Sequence, residues 1–145
     1  MGDREHCGRA VRTLRGRWRL ASITSGWRFP SDWAVPEVDT VCSSALFRGD
    51  LTTALTVLGG ARARTGAGLD ETLYDVAALH AVLDGRTDAA PFAMLRAAAI
   101  GWADVATTEP AATEPAATGC SPPERAWRLP RVPAEAGKPE ALERE

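Results

Sequence analysis

Residues 69–83, LDETLYDVAALHAVL, carry the clearest periodicity in the chain: Leu69, Leu73, Val76, His80 and Leu83 recur at intervals of 4, 3, 4 and 3 residues. Such spacing lines one face of an α-helix, because about 3.6 residues complete a turn. Asp70 and Glu71 stand where the positive end of the helix dipole favours carboxylates, and Gly85 follows the last apolar position as a stop. Leu79 and Val82 widen the stripe.

The same reading extends in both directions. Upstream, Pro36 suits the opening position of a helix whose stripe is Val38, Val41, Cys42, Ala45 and Leu46, with Glu37 and Asp39 near its start. Gly49 reads as a left-handed stop and Asp50 as the cap of a second helix, in which Leu51, Ala54, Leu55, Leu58 and Ala61 share a face. Gly59 and Gly60 are expected to loosen or bend that helix, and Gly66 to Gly68 to break it. Downstream, a last helix is expected from about Ala89 to Ala106, with Pro91 in its first turn and Phe92, Leu95, Ala99 and Trp102 on one side. Met94, Ala98 and Val105 line the adjacent side. No strand-like alternation competes, and the short connections place consecutive helices side by side. The expectation is an all-α fold: a small bundle of about four short helices over residues 27–106.

Two flanks differ from this core. Residues 1–26 read as an Arg-rich basic N-terminal arm, in which Val11, Leu14 and Trp18 fall at helical spacing and allow a transient or docked helix that Gly8 and Gly16 weaken. The run from Trp27 to Pro36, with two prolines and three aromatics, reads as an extended lead-in whose rings press on the core. Residues 107–145 open on a doubled Thr-Glu-Pro-Ala-Ala and continue with prolines at 110, 115, 122, 123, 130, 133 and 139. That Pro/Ala/Glu-rich composition predicts a disordered C-terminal tail.

Charge is unevenly spread although the net value is only −2. Residues 1–28 carry seven arginines against Asp3 and Glu5, whereas residues 29–106 carry five arginines against ten carboxylates. Lys138 is the single lysine beside sixteen arginines, a bias that reads as codon usage and discounts arginine-specific chemistry. Cys7, Cys42 and Cys120 are odd in number and widely spaced, which fits a reducing, cytoplasmic setting better than a disulfide framework. The N-terminus lacks the apolar run of a secretory signal, and His6 stands where a myristoylation motif wants Ser or Thr. No stretch approaches the ~20 apolar residues that cross a bilayer, so no membrane partner is expected.

Residues able to do chemistry are sparse. The only histidines are His6, in the arm, and His80, on the helical stripe, and no nucleophile elbow occurs. The cysteines and histidines lack the paired spacing of a metal site, and the glycine pairs lack the lysine of a phosphate loop. No catalytic residue, metal or cofactor is assigned, and the chain reads as a non-enzyme. Protein–protein interaction has positive support in Trp27, Phe29 and Trp33, candidate contacts for an unidentified protein partner. The alternative is a DNA-associated transcriptional regulator that touches phosphates through Arg12, Arg15, Arg17 and Arg19, with Trp18 and Trp27 as stacking surfaces. A helix-turn-helix over residues 51–83 is disfavoured, because Asp70, Glu71 and Asp75 place carboxylates on the recognition helix.

The run WRFPSDWAVPEVDTVC at residues 27–42, with GAGLDETL at 66–73, ALHAVL at 78–83 and GWAD at 101–104, resembles a helical region of actinobacterial, Streptomyces-type regulatory proteins. In those relatives the region precedes a GGDEF-like domain. The resemblance covers residues 27–106 and implies a cytoplasmic regulatory role, in development or in secondary metabolism such as antibiotic production. After Asp104 neither the Asp-x-Leu-Thr-Gly-Leu opening nor the Gly-Gly-Asp-Glu-Phe signature follows, so cyclic-dinucleotide synthesis is not implied.

Overall fold

A computed structural model describes residues 2–108, and these are all-helical, with no strand among them. Five α-helices follow in order: α1 (Gly2–Thr24), α2 (Pro36–Leu46), α3 (Leu51–Arg64), α4 (Leu69–Leu83) and α5 (Pro91–Thr108). A single 3-10 turn, Pro30–Asp32, interrupts the lead-in to α2. The expected disorder of the C-terminal tail falls outside the described residues, except that Thr107 and Thr108 belong to α5.

The largest departure from the sequence reading is at the N-terminus. Residues 2–24, expected as an arm, form the longest helix of the fold, which packs on α4 and α2 and buries Leu14, Trp18 and Ser22. Leu14 to Trp18 to Ser22 is an i, i+4, i+8 row, so one narrow stripe suffices to dock the helix. Gly8 and Gly16 are tolerated within it, because tertiary packing outweighs a propensity cost of about 1 kcal/mol each.

Helices α3 and α5 make the most extensive contact among the described helices, and the glycines of α3 are the reason. The helix continues uninterrupted through Gly59 and Gly60 to Arg64. A Cβ added at Gly59 would lie 2.0 Å from the Ala98 carbonyl oxygen, and one at Gly101 would lie 1.7 Å from that of Thr56. The backbones therefore touch, and Ala97 and Ala98 complete the small-residue seam. This contact selects the Met94, Ala98 and Val105 side of α5 as the inner face and turns Phe92 out to 77% exposure.

One further stop differs from expectation. After α2 it is Arg48, not Gly49, that takes the left-handed conformation (φ 55°), while a Cβ at Gly49 would sit tightly against Ser44, 3.0 Å from its Cα. Asp50 does cap α3: its Oδ1 accepts the Thr53 N–H at 3.0 Å and its Oδ2 accepts the Thr53 hydroxyl at 2.6 Å. On α4 the buried stripe is rotated relative to the leucine spacing, running through Thr72, Asp75, Val76, Leu79 and Leu83. Leu73 is half-buried and Leu69 is exposed, because the face of α4 that meets α1 carries partnered polar groups.

Candidate functional site

The centre of the fold is an ion pair enclosed by indoles. Arg62, one turn beyond Leu58 on the inner face of α3, and Asp75, one turn before Leu79 on α4, are both buried. Arg62 Nη2 donates to Asp75 Oδ2 at 3.0 Å, and Arg62 Nη1 donates to the Trp33 carbonyl at 2.5 Å. The other carboxylate oxygen, Oδ1, accepts the Trp33 indole N–H at 2.8 Å, and the Asp75 backbone carbonyl accepts that of Trp18 at 2.9 Å. Trp18 and Trp33 meet edge to face, with ring centroids 5.2 Å apart, and the Arg62 guanidinium lies 4.4 Å from the Trp27 ring centre.

Burial alone pulls the Arg62 guanidinium below its ordinary value, and the Asp75 carboxylate opposes that shift. With hydrogen bonds on both carboxylate oxygens and on both terminal guanidinium nitrogens, the pair is compensated except at Arg62 Nε, which has no partner. The cluster joins α1, the lead-in, α3 and α4 at one point.

Trp33 and Trp27, expected as partner contacts, are therefore core residues. Trp33 is completely buried, and Trp27 is 7% exposed with its indole N–H donated to the Phe29 carbonyl at 3.0 Å. Large rings with a satisfied polar edge stabilise the interior more than they would a wet surface. Phe29 alone of the three is at the surface, 63% exposed.

Beside this cluster lies a cleft whose two walls are built alike. Helix α1 ends in Gly26 (φ 111°), with the Gly26 N–H bonded to the Ile23 carbonyl and the Trp27 N–H to that of Ser22. Helix α3 ends in Gly66 (φ 86°), with the Gly66 N–H bonded to the Ala63 carbonyl and the Ala67 N–H to that of Arg62. Both are Schellman exits, which need a left-handed residue and so favour glycine. The indole N–H of Trp102, from α5, holds the second wall by its bond to the Ala67 carbonyl at 2.8 Å. The first wall is tied to α4 where the Arg28 backbone N–H donates to Glu71 Oε1 at 2.8 Å.

The enclosed space is a cavity of about 330 Å³ bordered by Trp27, Arg28, Phe29, Asp32, Asp70 and Glu71. A smaller cavity of about 140 Å³ adjoins it, sharing Trp27, Arg28, Asp70 and Glu71 and reaching Ser22, Tyr74 and Asp75. Ser22 borders it, and the Ser22 hydroxyl is buried without a hydrogen-bond partner. With Asp75 neutralised by Arg62, the lining carries three further carboxylates against the single guanidinium of Arg28.

The arginines expected to contact nucleic acid lie along α1. Arg12, Arg17 and Arg19 are exposed, and Arg19 reaches the Pro30 carbonyl at 3.3 Å. Arg15 is half-buried and pairs with Asp39 at 3.4 Å, so part of its charge is already answered. The stacking surfaces paired with them in sequence are not available, because Trp18 and Trp27 are inside. The expected recognition helix also changes character, since Asp75 points into the core rather than toward a phosphate.

Cys42 is buried and its thiol is pushed up to about 12, first by desolvation and then by the charge of Asp39. No group of ligating side chains suited to a metal ion occurs among the described residues, and none of their helices is long and apolar enough to cross a membrane. Comparison with known families, with characterised proteins and with solved structures finds no match to this chain.

Proposed function

We propose that the chain is a non-enzymatic regulatory or adaptor protein that acts by protein–protein interaction, with the cleft between residues 26–32 and 65–71 as its contact surface. The observation that carries this reading is Phe29: a ring 63% exposed on backbone that is fixed on both sides. Its carbonyl accepts both the Trp27 indole N–H and the Asp32 backbone N–H. An aromatic side chain on pre-ordered backbone, at the rim of a cavity, offers contact area at low entropic cost on binding. The regulatory setting, in the cytoplasm of an actinomycete, is carried by the sequence resemblance alone.

The test is recovery of partners with the intact protein, wild type against Phe29→Ser and, as a control, Phe92→Ser on a distant exposed ring. A partner lost with Phe29→Ser and kept with Phe92→Ser supports the cleft. A partner retained by both variants overturns it.

A second reading, DNA association through α1, is favoured by the exposure of Arg4, Arg9, Arg12, Arg17 and Arg19 along one helix. Phosphate contacts of that kind weaken steeply with salt. Absence of any mobility shift of duplex DNA at low salt ends this reading.

A further inference from the structure

We infer that the outer faces of α4 and α5 form an isologous interface between two copies of this chain. This face is separate from the cleft between residues 26–32 and 65–71, with which it shares Asp70 and not Phe29.

The apolar stripes that stand out in the sequence are the ones the fold leaves outside. On α4 the core takes the side of Val76, Leu79 and Leu83, which leaves Leu73 half-buried and Tyr74 and Ala77 exposed. On α5 it takes the side of Met94, Ala98 and Gly101, which leaves Leu95 and Ala99 half-buried and Phe92 exposed. Helix α5 is therefore apolar nearly all round, since Arg96 and Asp104 are its only charged residues. A helix of that character is ordinarily covered on every side. Between Glu71 and Asp84, α4 carries no carboxylate or guanidinium except Asp75, which belongs to the core.

The two faces are one surface. Leu73, Tyr74 and Ala77 of α4 and Leu95 of α5 border a shallow hollow of about 290 Å³, with Asp70 at its edge. Phe92 stands one turn before Leu95 on the same side of α5. Tyr74 is 64% exposed and Phe92 77%, so these rings alone present roughly 200–350 Å². With the leucines and alanines around them the face reaches on the order of 500 Å², toward the upper end of what a monomer leaves uncovered. A stable dimer covers about 800 Å² of each partner, of which roughly 65% is apolar, so this area matches one side of such an interface.

A second copy is the occupant because the face carries its own complement. An isologous contact needs projection and recess on a single surface, and here the Tyr74 ring stands beside the hollow. Charge agrees, since Asp70 on α4 and Arg96 on α5 give the face one exposed group of each sign. A two-fold arrangement sets Asp70 against Arg96 of the partner subunit twice over. The net charge of −2 adds little repulsion between copies.

The experiment is sedimentation velocity of the intact chain from low to high micromolar concentration. The wild type is expected to approach twice the 15.4 kDa of one chain as concentration rises. Ala77→Arg places a charge on the face at an exposed helical position, and Phe92→Ser removes a ring from it. Each should raise the dimer dissociation constant by about ten-fold or more, with the helical circular dichroism of the dilute protein unchanged. Val57→Ser, on an exposed position of α3, should leave the dimer as it is. A wild type that stays at the mass of one chain overturns the inference. So does a dimer untouched by both Ala77→Arg and Phe92→Ser, or one weakened equally by Val57→Ser. Masses that climb past two chains overturn it as well, because an isologous contact closes. Phe29→Ser should keep the dimer, so failure of the cleft and failure of this interface are read separately.

Discussion

Arg62 Nη2 stands 3.0 Å from Asp75 Oδ2, and neither side chain has any exposure to solvent. A buried pair of this kind is weak grounds for high stability, since desolvation offsets most of the attraction, but it makes each partner depend on the other. Arg62→Met should cost about 3–5 kcal/mol, because it strands the Asp75 carboxylate in the core. Adding Asp75→Asn to that variant removes the stranded charge and still leaves an acceptor for the Trp33 indole N–H. The double variant should therefore unfold at a higher urea midpoint than Arg62→Met alone; a midpoint lowered by the sum of the two single effects would show that the charges are not coupled.

The seam between α3 and α5 predicts opposite outcomes for one chemical change at two glycines. At Gly101 an added Cβ meets the Thr56 carbonyl oxygen at 1.7 Å, a backbone atom that moves only with its helix. Gly101→Ala should destabilise by about 2–3 kcal/mol or more, although alanine is the better helix former. At Gly16, exposed in the middle of α1, nothing lies within 4 Å of the added atom. Gly16→Ala should stabilise by about 0.5–1 kcal/mol. Thermal melts of the two variants check both signs.

Helix positions were legible in the sequence because apolar spacing, Pro36, Asp50 and Gly85 all speak of local structure. Which face turns inward was less so, since that is decided between elements. Gly59 looks like a helix weakness until the Ala98 backbone against it is known. Docking of α1 rests on three buried residues among many arginines, too thin a stripe to outweigh the basic composition in a sequence reading. The pair at the centre left a faint signal: Arg62 continues the 51, 55, 58 spacing of buried leucines, and Asp75 sits one turn before Leu79. A charge at a core position becomes meaningful only with its opposite, and these two lie on different helices. The cleft was legible only in part, through Phe29 and the glycine break at 66–68.

Trp18 tests whether α1 is integral to the fold. Its ring is fully buried against Trp33, and its N–H bonds the Asp75 carbonyl. Trp18→Phe keeps most of the apolar surface and should cost about 1–3 kcal/mol, chiefly from the lost indole hydrogen bond and the altered ring contact. Trp18→Ala should cost about 3–5 kcal/mol. Arg12→Ala, on the solvent side of the same helix, should stay within about 0.5 kcal/mol of wild type. Equal, negligible effects at Trp18 and Arg12 in urea denaturation would mean that α1 behaves as an arm after all.

Cys42 ties stability to alkaline pH with a definite sign. Its ordinary thiol value is 9.0, and burial, assisted by the Asp39 charge, raises it to about 12 in the folded chain. Between those values the unfolded chain gives up the thiol proton while the folded chain keeps it, so unfolding is favoured as pH rises. The contribution is complete below about pH 9 and is lost progressively toward pH 12. Cys42→Ala removes this thiol, and its melting temperature should fall less steeply than that of wild type between about pH 9 and about pH 11, where the unfolded chain ionises the thiol and the folded chain does not. The same protection slows alkylation, since the thiolate is the reactive form. Iodoacetamide at neutral pH should label exposed Cys7 in the native protein and reach Cys42 only after denaturation. Peptide mapping that finds Cys42 modified as fast as Cys7 would show that the α1 and α2 packing over it opens readily.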